Sequence, residues 1–296
     1  MALGSAKMPG TFSDSWKLTK TAFRLIREDR ALLIFPVVGG LSILGVLGLF
    51  LLGAFVLFPY ILSGGSGTSG YEGAGVALFL GTYFACSFIS VYATAGLIGA
   101  ATLKLNGQQP TAADGWKVAR ARLGRLFLWS VIAATVGLVI QAIASRVRGI
   151  GGLLIAGAAG ASWGVVTYFM VPVVLYENDG AWTSLKRSAH LFVSTFGRSL
   201  VSNLVVGLIV GGGLFAALVL GVVGIVELVG GQTLLGAVLV GAALAIGTIF
   251  ALVGAAAEGV LRAALYRYAT TGKIDPDLLP GAYRSAAAPT AGAPLP

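Results

Sequence analysis

The chain has 296 residues, 57% of them hydrophobic and only 10% charged, where a soluble domain carries roughly 25% charged residues. So few charges cannot coat a surface that faces water, which excludes a soluble globular domain and requires long uncharged stretches to meet lipid. The formal charge of +9 comes from basic residues gathered at the ends of apolar stretches, so the expected partners are the lipid bilayer and its anionic headgroups, not nucleic acid.

Residues 1–30 read as a cytoplasmic amphipathic segment. Trp16, Phe23 and Ile26 form an apolar stripe beside a basic stripe of Lys17, Lys20, Arg24 and Arg27, the pattern of a helix lying among lipid headgroups. No short apolar core precedes a small-residue cleavage site there, so no cleavable signal peptide is expected.

A helix needs ~20 apolar residues to cross ~30 Å of hydrocarbon. Six stretches within residues 31–264 meet that length: about 31–60, 75–103, 126–145, 151–176, 200–226 and 234–257. The fold class is therefore all-α, a six-helix membrane bundle with cytoplasmic interfacial helices. Glycine fills 44 positions, about twice its usual share, which suits helices whose backbones approach closely in lipid.

The connections predict orientation. Eighteen of the twenty Lys and Arg fall on the side of the N-terminus, and only Arg146 and Arg148 on the other. Basic residues stay in the cytoplasm, so both termini are expected inside a multi-pass protein of the cytoplasmic (plasma) membrane. The outer connections are a Gly/Ser-rich linker at residues 63–75 and two short turns near residues 146–152 and 230–232, too little to receive a large external ligand. Residues 265–296 form a cytoplasmic tail, Ala/Pro-rich and expected to be disordered from residue 285.

The N-terminal stripe returns a hundred residues later. Trp116, Lys117, Arg120, Leu123 and Leu126 match Trp16, Lys17, Lys20, Phe23 and Ile26, and a weaker copy holds Trp182, Lys186 and Phe192. Each copy precedes two spans, which suggests three units of interfacial helix plus hairpin. Anchoring by Trp and Lys at any interface would produce the same pattern without a repeat. Lys17, Lys20, Arg24, Arg27, Lys117 and Arg120 are the candidate headgroup contacts.

Chemistry finds little purchase. Gly160-Ala-Ser162-Trp-Gly164 fits the nucleophile-elbow spacing, but it lies inside an apolar span and His190, the only histidine, falls in a cytoplasmic segment. Gly160 with Gly164, and Gly207 with Gly211, read instead as close helix–helix contacts. Glu258 has Arg262 four residues on, a helical ion pair, and Glu227 can reach the outer headgroups. Glu177 and Asp179 lie two apart at a turn and make no catalytic pair. No metal-ligand spacing or phosphate loop occurs. No catalytic, cofactor-binding or metal-binding residue is therefore assigned, and no cofactor is expected. Cys86, the only cysteine, allows no intramolecular disulfide.

The turn after the fourth span is more distinctive: Pro172, then Glu177, Gly180 and Lys186-Arg187-Ser188, with Asn178 or Asp179 available to cap the next helix. Here the chain resembles a group of uncharacterised prokaryotic six-span membrane proteins. These are themselves similar to the membrane domain attached to some glycerophosphoryl diester phosphodiesterases. Ser15-Trp16, Phe35-Pro36 and the run Ala264-Leu265-Tyr266-Arg267-Tyr268-Ala269-Thr270-Thr271-Gly272 look similar as well. The resemblance implies a fold and carries over no catalytic residue, because the soluble phosphodiesterase domain has no counterpart in this chain. The expected function is non-enzymatic: a self-associating protein, or an accessory or scaffold subunit of a membrane complex. The alternative is a transporter or channel for a small or lipidic solute, with Thr82, Ser87, Ser90, Tyr92 and Thr94 as pore-lining candidates.

Overall fold

The computed structural model describes residues 31–62, 68–147, 149–196 and 200–271, side chains at 59–72, 194–206 and 268 excepted. Among them there are helices and no strand: α1 (Ala31–Leu62), α2 (Thr68–Leu105), α3 (Ala112–Arg120), α4 (Leu123–Ala144), α5 (Ile150–Thr167), α6 (Met170–Tyr176), α7 (Ala181–Phe196), α8 (Leu200–Val229) and α9 (Thr233–Thr271). Six stretches are long and apolar enough to cross a membrane: α1, α2, α4, α5 with α6, α8 and α9. The protein is a multi-pass helical membrane bundle. The amphipathic segment at residues 1–30, with Lys17, Lys20, Arg24 and Arg27, lies outside the described residues.

Six spans make three hairpins: α1 with α2, α4 with α5, and α8 with α9. Glycine sets the closest approaches within them. A Cβ on Gly224 would lie 2.8 Å from the Val240 backbone nitrogen, and one on Gly236 would lie 2.7 Å from the Gly224 carbonyl, so α8 and α9 meet backbone to backbone near their turn. That turn closes through Gly231 at φ +89°, a conformation that disfavours any residue with a side chain. Likewise Gly152 lies where a Cβ would stand 2.6 Å from the Ala144 carbonyl, which keeps α4 and α5 close at their junction.

The buried core collects at one end of the bundle. Leu32 and Phe35 from the start of α1, Ile98 and Ala101 from the end of α2, Ala119 of α3, Leu126 of α4, Met170 of α6 and Val260 of α9 pack there in one cluster. Away from that end the spans expose Leu44, Phe55, Leu153, Leu218 and Ile249. In lipid that exposure carries no hydrophobic penalty, so packing is needed only where the chain must hold polar loops and short helices together. The end with the core is also the basic end, where α3, α6, α7 and the last third of α9 meet.

α3 begins with a capping box. The Thr111 hydroxyl accepts the Asp114 N–H at 3.4 Å, and the Asp114 carboxylate accepts the Thr111 N–H at 2.9 Å. The Thr111 hydroxyl also donates to that carboxylate at 2.7 Å, and this bond, followed by the one from the Thr111 N–H, holds the Asp114 carboxyl below its ordinary range. Trp116 turns inward, its ring 4.8 Å from Phe35 and 5.2 Å from Tyr92. Beneath it Gly115 and Gly96 touch, since a Cβ on Gly115 would lie 2.6 Å from the Gly96 carbonyl.

Several expectations are corrected. α2 starts at Thr68, so most of the linker expected at residues 63–75 is helix. α3 stops at Arg120 and α4 starts at Leu123, so the second stripe is split between two helices. The helix of the sixth span runs past the expected end of the span near residue 257, because α9 continues to Thr271. The fourth span breaks between α5 and α6. Pro172 has no N–H to donate back to Tyr168, and its ring crowds that carbonyl, so the helix yields one turn earlier.

Candidate functional site

The break in the fourth span positions a connected group of polar side chains. Ser188, fully buried on α7, donates its hydroxyl to the Val166 carbonyl at 2.7 Å and accepts the Phe169 N–H at 3.1 Å. One side chain thus satisfies both a donor and an acceptor that the interrupted helix leaves open. α7 is sewn to the break.

One turn on, α6 ends at Tyr176, and its last carbonyls are taken by arginines of α4. Arg122 donates to the Leu175 carbonyl at 3.2 Å and to Asn178 Oδ1 at 2.8 Å; Arg125 donates to the Glu177 carbonyl at 3.1 Å and to Asn178 Oδ1 at 3.2 Å. Cations belong at the negative end of a helix, where free carbonyls collect. Arg267 of α9 does the same for α2, donating to the carbonyl of its last residue, Leu105. Asn178 therefore serves as an arginine acceptor, a role its expected use as a helix cap did not anticipate.

The Glu177 carboxylate closes the group. Its Oε1 accepts from the Tyr266 hydroxyl at 3.0 Å and pairs with Arg187 Nε at 3.4 Å. Tyr266 stacks on Tyr176 with ring centroids 6.0 Å apart and lies against Phe169 at 6.4 Å. The structure thus gathers Pro172, Glu177, Gly180 and Ser188 around one turn. The arginines of α4 and Tyr266 complete it, and sequence reasoning assigned them no contact. The signal was faint: Arg122 and Arg125 stood only in a charge count, and Tyr266 only in a resembling run. Ser188 and the arginines hold helix ends, and the Tyr266–Glu177–Arg187 contacts join α9 and α7 to the turn, so the cluster orders the basic end.

A second feature is a cleft of about 600 Å3 between α5 and the α8–α9 hairpin. Its walls are small: Gly164 from α5, Gly207 and Gly211 from α8, Ala251, Gly254 and Ala255 from α9. At its mouth, on the basic side, stand Tyr168, Glu258 and Arg262. Among the described residues no partner packs at Gly160, Gly164, Gly207 or Gly211: a Cβ on any of the four meets nothing within 4 Å. Spacing alone cannot say which face of a helix a partner covers. Tight glycine contacts lie elsewhere, at Gly96, Gly115, Gly152, Gly213, Gly224, Gly236 and Gly259 among others.

The remaining candidates are dispersed. Ser162 is exposed and bonds the Ala158 carbonyl of its own helix at 2.8 Å, and His190 is exposed on α7. Lys117 and Arg120 are exposed on α3, free to reach headgroups. Ser87 donates to the Ser130 carbonyl at 3.1 Å, joining α2 to α4, while Thr94 bonds its own helix at the Ser90 carbonyl, 2.8 Å away. Among the described residues no group of three His, Cys, Asp or Glu could hold a metal ion.

A family model matches residues 73–275, from the start of the second span through the end of α9. The chain belongs to that family, a family of unknown function designated DUF6159. The match contains the whole Glu177 turn and the cleft. No curated protein and no solved structure matches the chain.

Proposed function

We propose that this member of the DUF6159 family works without catalysis, holding another constituent of the membrane, protein or lipid, against its transmembrane face. One observation carries the reading. The glycines at 160, 164, 207 and 211 lie in apolar spans and meet no described neighbour, and the described residues do not fill the cleft that three of them line. A gap of that size in lipid must be occupied, because unmatched surface forfeits its dispersion contacts. The Glu177 turn supports the same reading, since it ties the helices together at the basic end and leaves the cleft open. The basic end faces the cytoplasm, as its arginines and lysines require, and Lys117 and Arg120 rest against headgroups of the cytoplasmic membrane.

Native mass spectrometry of the detergent-extracted protein tests this directly. The expected result is a stoichiometric companion: a second copy, a further subunit or retained lipid. A bare monomer under gentle extraction would count against it.

Movement of a small or lipidic solute is the second reading, favoured by the one polar mouth on an otherwise apolar cleft. A disulfide engineered between α5 and α8 separates the two: a transporter stalls when its cleft cannot open, whereas a scaffold keeps its companion.

A further inference from the structure

We infer that the cleft between α5 and the α8–α9 hairpin is a phospholipid site, with the phosphate on Arg262 and one acyl chain along the glycine and alanine walls. This rests on the association reading above and names the constituent held. The volume, about 600 Å3, falls within the ~300–1,000 Å3 typical of sites that enclose small molecules. From Arg262 to Ala251 the wall runs eleven residues, ~16 Å of helix at 1.5 Å per residue. An occupant must therefore be polar at one end and apolar for at least that length.

The charges at the mouth select the polar end. Arg262 gives one terminal nitrogen to Glu258 and lays its guanidinium over the Tyr168 ring, 5.0 Å from the centroid. Its Nε–H is buried and finds no acceptor among the described residues. A buried donor on a cation without an acceptor is costly, and a turn of the partly exposed guanidinium toward a phosphate oxygen at headgroup level would supply the missing acceptor. A transmembrane helix in the cleft would not, because its carbonyls are already bonded within itself. Glu258, half exposed beside Arg262, keeps the mouth close to neutral, which suits a headgroup that carries an ammonium with its phosphate.

The test uses the full-length protein, extracted gently and weighed intact by native mass spectrometry, with thermal melting as the check on folding. Gly207→Leu with Gly211→Leu fills the cleft where space is open. Arg262→Gln removes the phosphate contact together with the Glu258 pair and the Tyr168 contact, so Glu258→Gln, which breaks the pair and keeps the guanidinium, is its control. The parent should retain one phospholipid per chain. The filled variant should lose it with melting preserved, and Arg262→Gln should retain several-fold less. If the filled variant does not fold, Arg262→Gln decides. Equal retention by parent and variants overturns the proposal. So does loss of a second copy or a subunit in place of lipid, which leaves the association reading standing; a parent that holds neither lipid nor protein ends both. If inorganic phosphate raises the melting temperature of the delipidated parent as much as phosphatidylethanolamine does, the site takes free phosphate and the lipid assignment fails.

Discussion

Tyr266 donates its hydroxyl to Glu177 at 3.0 Å, joining residues 89 apart in the chain. The contact ties the extension of the sixth helix to the turn that follows the fourth. It accounts for the length of α9: a helix ending near residue 257 would leave Glu177 with Arg187 alone. A hydrogen bond to a charged acceptor contributes ~1.5–3 kcal/mol when buried, and the carboxylate here keeps some exposure, so ~1 kcal/mol is the expected cost of Tyr266→Phe. Glu177→Gln should cost a similar amount. Melting in detergent should show the double variant losing less than the two singles together. Full additivity would mean the two side chains do not act as a pair.

Ser188→Ala should be among the more damaging single-atom deletions in the molecule. It strands the Val166 carbonyl and the Phe169 N–H in a buried setting, at ~1–3 kcal/mol for unsatisfied groups. Ser162→Ala removes the same atom from an exposed hydroxyl that bonds only its own helix, and melting should not change. Ser162→Ala should also leave any activity intact, since no base stands by to activate that oxygen. Equal melting of the two variants would show that the break in the fourth span holds itself.

The glycines separate in the same way. Gly115→Ala places a Cβ 2.6 Å from the Gly96 carbonyl, between two backbones that cannot yield cheaply. Overpacking of this kind costs ~1–3 kcal/mol. Gly160→Ala meets open space and should be neutral or slightly stabilising, because alanine is the better helix former. The reverse order of melting temperatures would place the close contacts where spacing first suggested.

These residues show how far the sequence could be read. The six spans were legible because length and the absence of charge decide them, and neither depends on tertiary context. The turn at Pro172, Glu177, Gly180 and Ser188 was legible as a pattern, but not as a mechanism: that Ser188 bridges a helix break follows from where α7 docks, which no local spacing encodes. The glycine pairs were legible only in part, for a related reason. Gly-x-x-x-Gly marks a smooth face, and whether chain, lipid or partner covers that face is a property of the fold. Trp116 was expected at the headgroups because tryptophan is common there, yet it lies against Phe35 and Tyr92. α3 has glycine at its contact with α2, which leaves room for the ring inside.

Topology is open to direct measurement. With Cys86 replaced by serine, a single cysteine at Arg146 should label in intact cells. Cysteines at Lys117 or Arg187 should label only after permeabilisation. The structure puts Arg187 beside Glu177 at the basic end, so reagent access there reports the side of that whole end. Labelling of Lys117 in intact cells would invert the orientation.

The exposed basic residues of α3 offer the sharpest contrast between two uses of charge. Lys117 and Arg120 are one helical turn apart on the exposed face of α3, whereas Arg122 and Arg125, just beyond it, are spent on the carbonyls of Leu175 and Glu177. If the first pair meets anionic headgroups, Lys117→Gln with Arg120→Gln should weaken retention of anionic lipid by ~1 kcal/mol per charge, with melting unchanged. Arg122→Gln with Arg125→Gln should do the opposite, lowering the melting temperature because the end of α6 loses its acceptors' partners. Added salt should erase the first effect more than the second, since screening acts most strongly on exposed charge. Arg120→Lys then distinguishes lipid from an acidic protein: headgroup attraction needs only charge, while a carboxylate pair needs the guanidinium fork. Anionic lipid held equally well after both α3 charges are removed would discard the headgroup role for this helix, and the same substitutions at Lys17, Lys20, Arg24 and Arg27 would then decide whether the N-terminal stripe carries it alone.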